Sequence, residues 1–143
     1  MSDSASGLFV DTNILVYAHT RSSDPRHERG RHKVRDLWAA SEAPALSVQV
    51  LQELHANLVR KAGMPIAESA RLVRSYLAWR VIENGRALLR EGLVIHERFQ
   101  LSVWDALIVA AARQAGASVL WSEDLQAGAD YDGVKVVNPF REQ

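Results

Sequence analysis

Gly7-Leu8-Phe9-Val10-Asp11-Thr12-Asn13-Ile14-Leu15 is the stretch on which the fold turns. Gly7 to Val10 is short and apolar, as expected of a buried strand. It stops at Asp11, and Asn13 to His19 reads as a short helix. A strand that runs straight into a helix is the opening of an α/β unit. In open parallel sheets ligands bind at the carboxyl ends of the strands, so Asp11 stands at the edge where a site would form.

The rest of the chain repeats the alternation. Asp24-Pro25 starts a helix over Arg26 to Ala40. Ala43 to Leu46 is a brief strand, and Ser47 caps a helix running to about Ala62, which Gly63 and Pro65 end. Ile66 to Trp79 is amphipathic, with Ile66, Ala70, Val73 and Leu77 on one stripe. Trp79 to Ile82 reads as a strand. Asn84 to Phe99 reads as a helix that Gly85 and Gly92 weaken. Ser102 to Ala115 is a helix capped by Ser102 and stopped by Gly116. Strands at Ala117 to Trp121 and Val134 to Val137 complete an α/β fold with a parallel sheet. The chain divides into a disordered lead-in over 1–6, one domain over 7–140 and a tail over 141–143.

Composition narrows the chemistry. The 143 residues suit one domain with its own core. No cysteine is present, which removes disulfides, thiolate metal sites and a cysteine nucleophile. No apolar run approaches the roughly 18 residues of a membrane span, and residues 1–6 lack the pattern of a signal peptide, so a cytoplasmic protein is expected. Seventeen basic and 17 acidic residues cancel, so bulk basicity would not hold a nucleic acid. Locally, Arg21 to Arg35 is rich in arginine; it serves either as a solvated helix face or as a surface for a polynucleotide backbone. The five histidines lack metal-ligand spacing, and no Gly-rich phosphate loop occurs. Asn13 stands where a phosphoaspartyl phosphatase would carry its second Asp.

Four acids remain, each with a structural explanation as well as a chemical one. Asp11 can cap a helix. Asp105 completes the capping box Ser102-x-x-Asp105, yet lies among Trp104, Ala106, Leu107 and Ile108, where a buried acid needs a partner. Glu53 points away from the apolar face Val48, Leu51, Leu54 and Leu58, toward solvent or toward a cleft. Asp124 follows a strand and can end a turn, with Glu123 its rival. Carboxylates distant in sequence and joined by folding form an oxygen-rich site for a hard cation.

Together, Phe9-Val10-Asp11-Thr12-Asn13-Ile14-Leu15, Gln52-Glu53-Leu54, Leu101-Ser102-Val103-Trp104-Asp105-Ala106-Leu107-Ile108 and Ser122-Glu123-Asp124-Leu125-Gln126 resemble the PIN-domain family, and within it VapC-type toxins of toxin–antitoxin pairs. The resemblance runs from about Leu8 to Phe140, and Val137-Asn138-Pro139-Phe140 is similar to the family's last strand. It implies a three-layer α/β/α sandwich around a parallel sheet of four or five strands. It also implies a Mg²⁺- or Mn²⁺-dependent endoribonuclease, usually a homodimer, inhibited by a cognate antitoxin. The family's catalytic acids carry over to Asp11, Glu53, Asp105 and Asp124, and its supporting polar residues to Thr12 and Ser122.

On this reading Asp11 and Asp105 hold the metal, Asp124 joins directly or through water, and Glu53 orients the attacking water or binds a second, substrate-dependent metal. Two other expectations stay open: a PIN-like binding module whose acidic cleft holds a basic partner segment, and a DNA-directed nuclease. Trp38, Trp79, Trp104 and Trp121 are assigned to the core or a dimer surface.

Overall fold

In the computed structural model, which describes residues 4–141, the opening run becomes β1 (Leu8–Val10), a central strand. Helices α1 (Thr12–His19) and α2 (Pro25–Ala39) lead to β2 (Ala45–Ser47). Helices α3 (Val48–Arg60) and α4 (Ile66–Ser75), with a 3-10 turn at Tyr76–Ala78, lead to β3 (Arg80–Ile82). Helices α5 (Arg86–Phe99) and α6 (Val103–Gln114) return the chain to β4 (Val119–Trp121), followed by β5 (Asp130–Tyr131) and β6 (Val134–Val137). Of the expected lead-in and tail, residues 1–3 and 142–143 lie outside the described residues. Ala5 is buried, and its N–H donates to the Glu42 carbonyl at 2.9 Å.

The strand order is β3-β2-β1-β4-β6-β5. All neighbours are parallel except β5, which pairs antiparallel with β6. The parallel part therefore has five strands, as the sequence implies, and β5 extends it. The Asp132-Gly133 turn joining β5 to β6 has φ values of 55° and 101°, the left-handed conformation that Asp-Gly hairpins favour. From β1 the chain steps outward to β3, then crosses back to β4 and continues the other way. Right-handed crossovers thus place α1 to α4 on one face and α5 with α6 on the other. The direction changes between β1 and β4, which opens the crevice beyond their carboxyl ends.

The core sits on both faces of β1, with Phe9, Val10, Ile14, Leu15, Leu46, Leu54, Leu58 and Leu120 fully buried. Helix α6 is buried continuously from Ala106 to Ala112. Its small residues let α5 approach closely. A Cβ on Gly92 would stand 2.6 Å from Leu107 Cδ2, so the residue that weakens the helix in isolation leaves room for the Leu107 side chain.

The ends of the apolar stripe of α4 stay out of the core, Ile66 and Leu77 being 67% and 58% exposed, while Val73 packs against it. Ala70, Val73 and Leu77 also line an open groove with Val48 and Leu51 of α3. The side of the helix flanking that stripe is buried through Ser69, whose hydroxyl meets His55 Nδ1 at 2.8 Å. The tryptophans also divide. Trp79 is buried, and Trp38 covers Trp79 and Tyr76 at about 5 Å. Trp104 is 63% exposed, which takes it out of the core.

Candidate active site

The crevice between β1 and β4 collects residues from four separate elements. Asp11 leaves β1 as the N-cap of α1 and is buried. Its Oδ1 accepts the Thr12 N–H at 2.7 Å, and its Oδ2 accepts the Ser122 hydroxyl at 2.9 Å. Ser122 follows β4, whose Trp121 carbonyl accepts the Asp11 N–H at 2.9 Å. The Ser122 oxygen in turn accepts the Leu125 N–H at 3.1 Å. One serine therefore orients Asp11 and shapes the turn carrying Asp124.

Glu53 is half-buried rather than a free surface glutamate. Its Oε1 accepts the Thr12 hydroxyl at 2.6 Å and its Oε2 accepts Gln49 Nε2 at 3.1 Å. Gln49 Nε2 also donates to the Trp104 carbonyl at 3.3 Å, tying α3 to the first turn of α6. There Asp105 occupies the turn capped by Ser102, whose hydroxyl accepts the Asp105 N–H at 3.1 Å. The expected helix start is present, and it presents a half-buried carboxyl beside α3.

Asp124 Oδ1 accepts Asn13 Nδ2 at 2.8 Å. Its neighbour Glu123 is held elsewhere, accepting Arg26 Nη1 at 2.7 Å, while Arg26 also pairs with Asp24 at 2.6 Å. The two adjacent acids are thus sorted by partner: Glu123 has a cation, and Asp124 has a neutral amide.

The charges register this assembly. Burial pushes the Asp11 carboxyl up to about 7; the Thr12 and Ser122 bonds pull it down, and the charges of Asp124 and Glu53 raise it further. Asp105 is raised by burial and by Glu53, against a lowering bond from Ser102. Asp124 is raised by burial and then by Asp105, Glu123 and Glu53, while Asn13 lowers it. These cross-influences place the four predicted acids in one electrostatic neighbourhood.

The hydrogen-bond donors to Asp11, Glu53 and Asp124 (Thr12, Ser122, Gln49 and Asn13) are all neutral. Gln49 Oε1 is buried and has no partner among the described residues. Oxygen donors whose like charges have no protein cation between them, beside an orphaned acceptor, suit a hydrated hard cation. Among the described residues no three Asp, Glu, His or Cys groups form a ready-made cage.

Asn13 and Gln49 are the site residues that sequence reading missed. Asn13 lay within the quoted Asp-Thr-Asn word without a role. Gln49 carried no signal, because its partners come from α3 and α6 together.

The profile of the PIN domain matches residues 8–129, and comparison with curated proteins returned no match. Among solved structures, a toxin–antitoxin complex from Klebsiella pneumoniae aligns with TM-score 0.67 and 19% identity, covering 92% of this chain and 97% of that one. VapC20 of Mycobacterium tuberculosis, described as a sarcin–ricin-loop-cleaving toxin, aligns with TM-score 0.62 and 27% identity over 82% of this chain and 91% of that one. A DNA-bound VapBC complex from Salmonella typhimurium aligns with TM-score 0.62 and 15% identity over 95% and 97%.

Proposed function

The chain belongs to the PIN-domain family, and from that premise we propose that it is a divalent-metal-dependent endoribonuclease, the toxin of a toxin–antitoxin pair. The carrying observation is the meeting of Asp11, Glu53, Asp105 and Asp124 at one crevice with neutral partners only. The likeness to VapC20 supports RNA as substrate, and the likeness to toxin–antitoxin complexes supports an antitoxin partner. A homodimer in the cytoplasm belongs to the same reading. No helix among the described residues is long and apolar enough to cross a membrane.

Asp11 and Asp105 would hold Mg²⁺ or Mn²⁺, with Asp124 joining directly or through water. When bound, such an ion supplies a more acidic water, neutralised phosphate charge and a stabilised leaving oxygen. The chain's own residues prepare the rest. Thr12 and Ser122 fix both oxygens of Asp11, so its carboxyl loses little freedom when engaged. Thr12 and Gln49 fix the two oxygens of Glu53, whose remaining lone pairs can orient the attacking water and take its proton. The pairing of Glu123 with Arg26 supports Asp124 as the fourth acid.

The test is cleavage of single-stranded RNA and single-stranded DNA by the purified protein, with Mg²⁺, Mn²⁺ or EDTA. RNA cleavage that EDTA abolishes and that Asp11→Asn lowers by at least 10²-fold is expected. Full metal-dependent cleavage by Asp11→Asn would overturn the assignment. Cleavage of DNA alone would make the protein a DNA-directed nuclease, and tight capture of a basic segment without cleavage would make it a binding module.

A further inference from the structure

Helices α1 and α3 pack against each other. Thr12 meets Glu53 through a 2.6 Å hydrogen bond, across a separation of 41 residues. The same offset relates Val16 to Asn57 and Thr20 to Lys61, and all four of these line one hollow. The seam that begins at the acids therefore ends at His19, Thr20 and Lys61. At about 1.5 Å per helical residue, that end lies roughly 10 Å from the Thr12–Glu53 contact.

The far end of the seam is basic. Two adjoining hollows of about 580 and 660 Å³ share His19, Thr20, Arg21, Met64 and Glu68. Four cations border them, Arg21, Arg31, Lys61 and Arg71, against one acid, Glu68. Arg21, Lys61 and Arg71 are exposed, and none has a side-chain hydrogen bond or ion pair among the described residues. The Arg31 guanidinium is tethered to the Thr20 carbonyl at 3.2 Å, which holds it at the rim.

The fold thereby sorts the arginine-rich segment of the sequence. Arg26 is neutralised by Asp24 and Glu123, and Arg29 donates to the Phe140 carbonyl at 2.7 Å. Arg21 and Arg31 are the members turned to the cleft. Cations here also suit the negative ends of α1 and α3, but that accounts for neither Arg71 on α4 nor the hollow itself.

We propose that this cleft is a phosphate subsite for single-stranded RNA flanking the scissile bond. The proposal rests on the nuclease reading above. A strand whose phosphate sits at the acids meets a repulsive field there, and cations one Debye length along the seam offset it by contacting neighbouring phosphates. The hollow has the size of a small-ligand site and its rim carries charge, unlike the separate, largely apolar groove between α3 and α4. Those features favour a polyanion with regularly spaced charges over a protein segment.

The experiment is fluorescence anisotropy of a labelled 12-mer oligouridylate on the full chain in EDTA, across a salt series. Arg21→Ala/Arg71→Ala is compared with wild type and with Arg21→Lys/Arg71→Lys; thermal melts confirm that each is folded. The alanine pair should weaken binding about tenfold near 0.15 M salt and flatten the slope of log K against log salt by about 1.4, at roughly 0.7 per phosphate. The lysine pair should keep most of both. An unchanged slope in the alanine pair, equal losses in both pairs, or no binding by wild type overturns the subsite. So does an oligoglutamate peptide that binds in an Arg21- and Arg71-dependent way while the RNA does not. Cleavage with Mg²⁺ is scored separately: RNA bound at the cleft but never cut defeats the nuclease reading alone, and RNA cut with unchanged binding by the alanine pair defeats the subsite alone.

Discussion

Asp11→Asn should make the metal-free protein more stable above neutral pH, although it should abolish cleavage. Asp11 is buried, and its carboxyl is raised from 3.8 to about 7, chiefly by desolvation. A raised folded-state pKa means that the folded protein binds more protons than the unfolded chain between those two values. Stability therefore falls as pH rises through that window, and the full penalty is present above about pH 7. At 1.36 kcal/mol per unit the shift corresponds to a ceiling of about 4 kcal/mol. Asn keeps the cap, because its oxygen can still accept the Thr12 N–H, and its amide can face a rotated Ser122 hydroxyl. It removes only the charge. A realised gain of about 1–3 kcal/mol would raise the melting temperature by roughly 3–10 °C for a domain of this size. Melts in EDTA at pH 4, 5, 6, 7 and 8 measure the difference between the two proteins. It should be near zero at pH 4, grow through pH 5 to 7, and level off by pH 8. Asp105 and Asp124, also raised, will leave some pH dependence in the variant. Saturating Mg²⁺ should narrow the gap at pH 8 by stabilising wild type preferentially. Parallel pH profiles, or a variant less stable at pH 8, would refute the claim that Asp11 is held in an uncompensated, desolvated position.

Three further outcomes follow from individual contacts. Asp124→Asn should lower RNA cleavage by at least tenfold, while Glu123→Gln, already outside the crevice on Arg26, should retain most of it; the reverse ranking in a cleavage time course would move the fourth acid to Glu123. Ser122→Ala removes a buried donor to Asp11 and an acceptor for the Leu125 N–H, so urea unfolding should show a loss of about 1–3 kcal/mol, and cleavage should fall with it. Gly92→Ala brings a Cβ to 2.6 Å from Leu107 Cδ2 and should cost about 1–3 kcal/mol by overpacking; Leu107→Ala in the same chain should relieve part of that cost, so a strictly additive double variant would count against the close approach of α5 and α6.

Much of the fold was legible because its signals are local. The run Leu8–Val10, the cap at Ser47 and the Ala-rich α6 each declare themselves within a few residues. Asp132-Gly133 was an equally local hairpin signal, and reading it would have located β5. The stripe on α4 was read correctly as periodic, but periodicity does not say what lies opposite; the stripe faces an open groove while Ser69 and Tyr76 are buried. Gly92 shows the converse, in which intrinsic helix propensity argues against a residue whose missing side chain leaves room for Leu107 of the neighbouring helix.

By itself the sequence determined the alternation of strands and helices and the local words that hold the four acids, since propensity and capping act over single turns of chain. It also limited the chemistry by lacking cysteine and a phosphate loop. Only the tertiary structure decided that Glu53 belongs with Asp11 through Thr12, that Asp124 faces the crevice while Glu123 is drawn off by Arg26, and that Gln49 bridges two helices. The physical reason is that burial and charge coupling depend on distances through space. Asp11 to Ser122 spans 111 residues of chain and 2.9 Å of structure.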